Sequence, residues 1–376
     1  MVTTPPVLTA RALNRATLAR QLLLRRVPRA ELSVAGAVGH LVGLQAQNVK
    51  PPYLALAARL DAFDPGELSA LMASREVARM VTLRSTVHTH TAADCLALRP
   101  LVQRGGPDRE LRMFRKGLTG VDPERLARIV RELVEEEPRT MKGLREELTA
   151  HWPDADPFAL SVAARCLLPL VQVTPRGLWG RSGQVALTTA EHWFGAEAAD
   201  RVPEAGAEET VRRYLAAFGP ASVKDMQTWS GLTRMRAVFE GLRPRLLVFR
   251  DEYGTELFDL PEAPRPDAAT PAPPRFLPEF DNLLLSHADR RRVVPRDEYR
   301  RLTWTGNQSH PTFLLDGFLA GTWGIEESGG TTTLTVRPFE PPAPAEREAL
   351  AGEAEHTLGI LAPGGAHTVR FGTGRG

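Results

Sequence analysis

A helix, a short turn, a second helix and then two strands joined by a turn recur in that order three times, which limits the possible folds more than any other feature of this chain. In the second copy, apolar spacing predicts helices over Leu126–Leu133, Met141–Leu148 and Phe158–Leu170, with a break at Pro138. Strands follow at Val171–Thr174 and Gln184–Thr188, around a Pro175-Arg176-Gly177 turn. In the third copy the helices are Val211–Phe218, Val223–Trp229 and Leu232–Leu242, and the strands Leu246–Arg250 and Glu256–Leu260 flank Asp251–Gly254. A helix-turn-helix with a β-hairpin wing is a DNA-docking unit. The pattern predicts an α+β chain of tandem winged-helix repeats, with double-stranded DNA as the leading candidate partner.

The first copy is longer. Helices are expected over Ala16–Leu24, over Ser33–Val42 with Ser33 as its cap, over Tyr53–Leu60 opened by Pro51-Pro52, and over Glu67–Met72. A strand pair, Ala78–Leu83 and Thr86–Thr89, surrounds Arg84-Ser85, and Thr91 with Asp94 caps the next helix. The resulting boundaries are 1–120, 121–200 and 201–262 for the three units. The remainder, 263–376, begins with a proline-dense stretch, Pro261–Pro274, expected to be a semi-rigid linker. A small α+β module follows: a hairpin with a type I′ turn at Asp316-Gly317, a strand at Thr331–Val336 and a closing helix at Ala345–Leu361.

Composition narrows the classes without choosing among them. No apolar run approaches the roughly 20 residues of a membrane span, and the start of the chain lacks the basic and apolar regions of a secretory leader. The two cysteines, Cys95 and Cys166, lie in apolar helical stretches and read as free buried thiols. The expected location is cytoplasmic, at the nucleoid, with no membrane contact and no obligate protein partner. The net charge is only +2, but residues 1–120 hold about twice as many basic as acidic side chains. Phosphate contacts are therefore expected towards the N-terminal end.

The stretch joining two helices of the first unit reads Gly43-Leu44-Gln45-Ala46-Gln47-Asn48-Val49-Lys50. If Leu44–Asn48 is extended, Gln45 and Gln47 project to one side, where two carboxamides together offer donors and acceptors to a single water. In a helix they would point roughly 200° apart. Spacing alone leaves open a pair of solvent-facing glutamines.

Four stretches resemble one family. They are HLVGLQAQNVKPPYLALA at His40–Ala57, MVTLRSTVHTHTAADCLALRP at Met80–Pro100, LPEFDNLLLSHADRRRVV at Leu277–Val294 and PTFLLDGFLAGTW at Pro311–Trp323. In that order they are similar to the AlkZ/YcaQ-like winged-helix DNA glycosylases, over most of the chain. The resemblance implies tandem winged helices forming a concave, C-shaped DNA-binding body. It also implies Gln45 and Gln47 as the catalytic pair, in the branch with Gln-x-Gln where the other branch has Gln-x-Asp. The implied activity is that of a monofunctional DNA glycosylase, without metal or cofactor, acting on DNA that carries alkylated or crosslinked purines.

Four further residues are expected to contact DNA: Lys50, Arg84, His88 and His90. The two histidines alternate on one side of the first hairpin and stand equally well as backbone contacts, as supports for the glutamines or as ordinary wing residues. Lys50 suits a phosphate contact, or a Schiff base with an abasic sugar in a lyase. Arg290-Arg291-Arg292 is a rim contact or a solvated run. Two rival readings share the same fold: a non-enzymatic DNA-binding regulator or architectural factor, and a set of protein-contact modules.

Overall fold

Local chemistry sets many of the helix starts. Ser33, Thr91, Thr140 and Ser222 each accept a hydrogen bond from the backbone N–H three residues on. Proline occupies the first turn of Lys50–Ala57, Pro65–Ala73, Pro123–Glu136 and Pro157–Leu167, where its missing N–H costs nothing. The computed structural model describes residues 5–372, and these form a mixed α+β fold with separate apolar clusters under each group of helices.

Among the described residues, three sheets of three or more strands organise the helices, beside one two-stranded sheet. The largest has six strands in the order Leu44–Gln45, Val87–Thr91, Val77–Val81, Leu170–Gln172, Ala186–Thr189 and Arg139–Thr140, every pair antiparallel. The strand pairs expected as independent features of the first two units thus share one sheet, with Arg79 paired to Thr89 on one side and Gln172 on the other. The strands at Leu247–Asp251 and Glu256–Asp259 form a second sheet. Val7–Leu8 adds to it in parallel, a pairing too short to read from sequence. The third sheet holds Arg275–Leu277, Thr312–Leu315, Phe318–Ser328, Thr331–Pro338 and Ala366–Phe371. Its helix, Pro344–Leu361, does not close the chain: it crosses over so that Ala366–Phe371 can pair parallel to Thr331–Pro338. Leu350, Ala354 and Leu358 of that helix pack on Phe313, Trp323 and Val336.

Two other expectations change. The Pro175-Arg176-Gly177 turn forms, with the Leu178 N–H donating to the Pro175 carbonyl at 3.1 Å, but it opens a longer loop instead of joining the two strands directly. In that loop the Gly177 carbonyl accepts from Tyr53 Oη at 2.7 Å, and Trp179 packs on the Tyr53 ring at 4.9 Å, tilted by 50°. Pro261–Pro274 is no free spacer, because Arg20, Arg11 and Arg15 donate to the carbonyls of Pro264, Ala268 and Thr270. The type I′ turn stands as expected: Asp316 has φ 45° and Gly317 φ 79°. A Cβ on Gly317 would lie 2.5 Å from both Asn14 Oδ1 and Leu18 Cδ1, so this turn also docks the module on the first helix, Ala10–Arg20.

Fully buried ion pairs tie distant segments together. Arg20 bridges to Asp259 at 2.5 Å, joining the first helix to the second sheet. Arg59 makes two parallel bonds to Asp281, at 2.8 and 2.9 Å, with both side chains sealed from solvent. That pair fixes the LPEFDN stretch beneath the loop that carries the two glutamines.

Candidate active site

Leu44 and Gln45 pair with Thr89 and His88, and the Ala46 N–H donates to the Val87 carbonyl at 2.8 Å. Leu44–Ala46 is therefore extended, and the chain bends at residues 47–49. Gln45 Nε2 donates to Gln47 Oε1 at 2.9 Å, so the two carboxamides meet. Gln45 is 6% exposed while Gln47 is open to solvent. The pair spans the boundary between protein interior and surface.

Arg84 sets the orientation of both amides. Its Nη2 donates to Gln45 Oε1 at 2.8 Å. Because a guanidinium has no acceptor, the atom facing it must be the carbonyl oxygen. Gln45 Nε2 then faces Gln47, which in turn presents Oε1. One lone pair of Gln47 Oε1 and both protons of its Nε2 remain for a ligand. Arg84 itself sits in the turn between the two strands, left-handed at φ 54°, ψ 24°, and its Nη1 bonds the Trp229 carbonyl. That carbonyl lies in the last turn of helix Val223–Ser230, where the dipole favours a cation. Burial, and next the nearby Arg290, push the Arg84 guanidinium down to about 10.

The backbone of the loop is held from below. Arg79, itself buried, donates to the Ala46 carbonyl at 2.6 Å and the Asn48 carbonyl at 3.3 Å. Asn282 Nδ2 donates to the Gly43 carbonyl at 2.7 Å. Gly43 has φ 89°, and a Cβ there would lie 2.2 Å from the His90 ring, so only glycine fits. On the open side, Glu279 accepts from Asn48 Nδ2 with one oxygen and from Gln308 Nε2, at 2.7 Å, with the other. It links the loop to the small strand pair Trp304–Thr305 and Gln308–Ser309.

The family model described as "DNA glycosylase AlkZ-like" matches residues 38–359. The chain belongs to the AlkZ-like DNA glycosylase family. It is 27% identical over 350 residues to the "Interstrand DNA cross-link repair glycosylase" of Streptomyces sahachiroi, covering 88% of this chain and 91% of that protein. The solved structure of "Streptomyces sahachiroi DNA glycosylase AlkZ" shares the fold, with a TM-score of 0.78 at 21% identity, over 97% of this chain and 100% of that one. This chain is therefore a DNA glycosylase, and DNA is its substrate.

The other residues singled out in this AlkZ-like sequence fall in different places. His88 and His90 are 1% and 0% exposed and stack at 5.5 Å in the sheet, so neither ring presents itself to a DNA backbone. His88 Nδ1 bonds the Thr86 carbonyl at 3.0 Å, and His90 Nε2 bonds Thr82 Oγ1 at 2.8 Å. Burial drives His88 well below the usual imidazole range and His90 to about 4, so both rings are neutral near pH 7. They are packing residues under Gln45: period two correctly put them on one side, but that side faces inward. Lys50 is exposed at the start of helix Lys50–Ala57, two residues beyond Asn48, and makes no hydrogen bond or ion pair among the described residues.

Sequence reasoning did not find Arg79 or Glu279, since nothing in their spacing ties them to the glutamines. Among the described residues no group of three or more His, Cys, Asp or Glu side chains is placed to hold a metal ion.

Arg84, expected to contact DNA, spends two guanidinium nitrogens on internal bonds, and we propose that it positions Gln45 rather than gripping phosphate. Arg84→Ala should slow single-turnover base release by about tenfold, or ~1.4 kcal/mol, by freeing the Gln45 amide to rotate. Its DNA affinity and salt dependence should match wild type. A salt slope lowered by about one unit would return Arg84 to the DNA backbone.

Proposed function

We propose that this AlkZ-like enzyme hydrolyses the N-glycosidic bond of N-alkylated purines in double-stranded DNA, N7-alkylguanine being the model lesion, with Gln45 and Gln47 placing the attacking water. The observation that carries this reading is the Gln45–Gln47 hydrogen bond, its orientation imposed by Arg84. A purine alkylated on a ring nitrogen is already cationic. When its bond to the anomeric carbon breaks, the electron pair neutralises the ring and the base leaves without a general acid. Water forms the new C–O bond and releases its proton to solvent. Gln47 Oε1 has a free lone pair to orient that water, and the amide dipoles can support the electron-poor sugar. Neither glutamine can take a proton as a base, so the site suits an activated leaving group and would serve an unmodified base poorly.

In this reading the three helix–hairpin units act as tandem winged helices in a concave body, divided near residues 120, 200 and 262, and the C-terminal module braces the catalytic loop through Asp281, Asn282 and Glu279. Gln47 lies at an open surface rather than in a closed pocket. A purine tethered to both strands cannot swing into a closed pocket, so the same site admits an interstrand crosslink. The name of the Streptomyces sahachiroi relative supports that extension.

The test is single-turnover release of free base from duplexes carrying N7-methylguanine or a purine-linked crosslink, with enzyme saturating at each pH. Release is expected from both, with a rate nearly flat from about pH 6 to 9. The glutamines do not titrate, and His90, lowered to about 4, stays neutral throughout. No release from either duplex overturns the proposal. A bell-shaped rate at saturation overturns only the base-free mechanism and points to Glu279, the carboxylate bonded to Asn48.

A further inference from the structure

Three consecutive arginines meet three fates. Arg292 is buried, with Nη1 donating to the Pro220 carbonyl at 2.7 Å and to Thr17 Oγ1 at 3.2 Å. Arg291 pairs with Asp289 and lies 3.4 Å over the ring of Tyr253. Arg290, half-buried, makes no side-chain hydrogen bond or ion pair among the described residues. Burial, followed by the like charge of Arg300, pushes it down to about 10. Two cations lining one cavity with a single unpaired carboxylate, Asp297, among them carry a standing electrostatic cost, which a bound anion would relieve.

The surroundings of Arg290 indicate which anion. It lines a cavity of about 630 Å³ together with Lys224 and Arg300. Arg290 and Arg300 also line an adjoining cavity of about 650 Å³ that reaches Trp304 and Gly306. Lys224 is shared in turn with a cavity of about 750 Å³ lined by Arg84. The three make one groove, running from the residue that holds Gln45 to the strand pair linked to Glu279. Most acidic side chains along it are spent on other partners. Glu110 pairs with Arg165, Glu256 with Arg243 and Asp289 with Arg291, while Asp225 accepts the N–H groups of Ser222 and Ala288. Asp297 has no ion pair among the described residues. Nor do Lys224, Arg290 and Arg300, so the unpaired charges still sum to positive. A long groove with a cationic floor fits a chain of phosphates better than one small anion.

We propose that Arg290 and Arg300, with Lys224 beside them, grip a backbone phosphate flanking the damaged nucleotide. The placement beside the lesion rests on the glycosylase reading above; the phosphate contact does not. The anion would also offset the charge of Arg84 where a cationic sugar must form.

The experiment measures affinity over a salt series for an undamaged duplex and for one carrying N7-methylguanine. Arg290→Gln and Arg300→Gln should each lower the slope of log affinity against log salt by about 0.9 on both duplexes. Arg291→Gln, whose charge is already paired, should not. Arg290→Lys should keep the wild-type slope, because a phosphate needs only the charge. Duplexes with single neutral methylphosphonates should then show one flanking position to which wild type responds and Arg290→Gln is indifferent.

Unchanged slopes in both Gln variants overturn the proposal. So does loss of competition by inorganic phosphate with no change in DNA slope, which would mark a site for a small free anion. If Arg290→Gln fails to fold, the methylphosphonate scan on wild type decides, and a scan without a sensitive flanking position overturns the proposal. Failure of the glycosylase reading looks different: wild type would release no base while the slopes still fell.

Discussion

Replacing Gln45 and Gln47 together by alanine is expected to slow base release from N7-methylguanine DNA by at least about 100-fold, or ~2.7 kcal/mol, while affinity for the same duplex stays within about twofold. Each single change should cost at least about tenfold. The two amides are joined by a 2.9 Å hydrogen bond. Either side chain alone offers a dipole, but only the pair, with Gln45 held by Arg84, fixes where the free lone pair of Gln47 points. Groups placed in advance around developing charge act through the transition state more than through binding, so the rate should fall and the affinity should not. The double effect should fall short of the product of the two single ones, each of which then exceeds the tenfold minimum, because losing either partner releases the other. Single-turnover rates and equilibrium binding on one oligonucleotide measure both quantities. Full activity in the double variant would show that the glutamines merely line the strand.

The largest effect on stability is expected at Asp281. Asp281→Ala leaves the Arg59 guanidinium buried without its two carboxylate bonds. Stranding one member of a sealed pair costs about 3–5 kcal/mol, and the same change removes the carboxylate that caps helix Asn282–Leu285. The denaturant midpoint should fall accordingly. Replacing both partners, Arg59→Met with Asp281→Leu, should recover a substantial part of the loss, since an apolar pair carries no stranded charge. A single variant within about 0.5 kcal/mol of wild type would mean that the pair is not closed to water. Activity should fall along with stability, because Asn282, next in the chain, holds the Gly43 carbonyl.

Local signals in this chain were strong enough to read directly. Ser33 and Thr91 cap helices because a side-chain oxygen beside an unpaired N–H is a property of a few consecutive residues. Asp316-Gly317 makes a type I′ turn for the same local reason. A common side for Gln45 and Gln47 was expected only if Leu44–Asn48 were extended; the family resemblance gave the pair its chemistry, and the 2.9 Å bond between the amides is what the structure adds.

What lay beyond reach depends on partners distant in sequence. His88 and His90 were correctly placed on one side of a strand, yet which side of a sheet faces water is decided by what packs on it, and here that side is sealed. Arg84 was expected to contact DNA. A left-handed turn brought it instead between Gln45 and a helix end 145 residues away. Glu279 and Arg79 had no signal at all, since their roles exist only after the C-terminal module docks on the first unit. In Arg290-Arg291-Arg292 three identical side chains became one buried strut, one surface pair and one unpaired cation. The sequence by itself determined the elements, their caps and turns, and the pair of amides, because each is a matter of neighbours along the chain. Only the tertiary structure decided which charges are satisfied and which are left for a ligand, because that depends on long-range contacts that bury some arginines against carbonyls and carboxylates and leave others facing a groove.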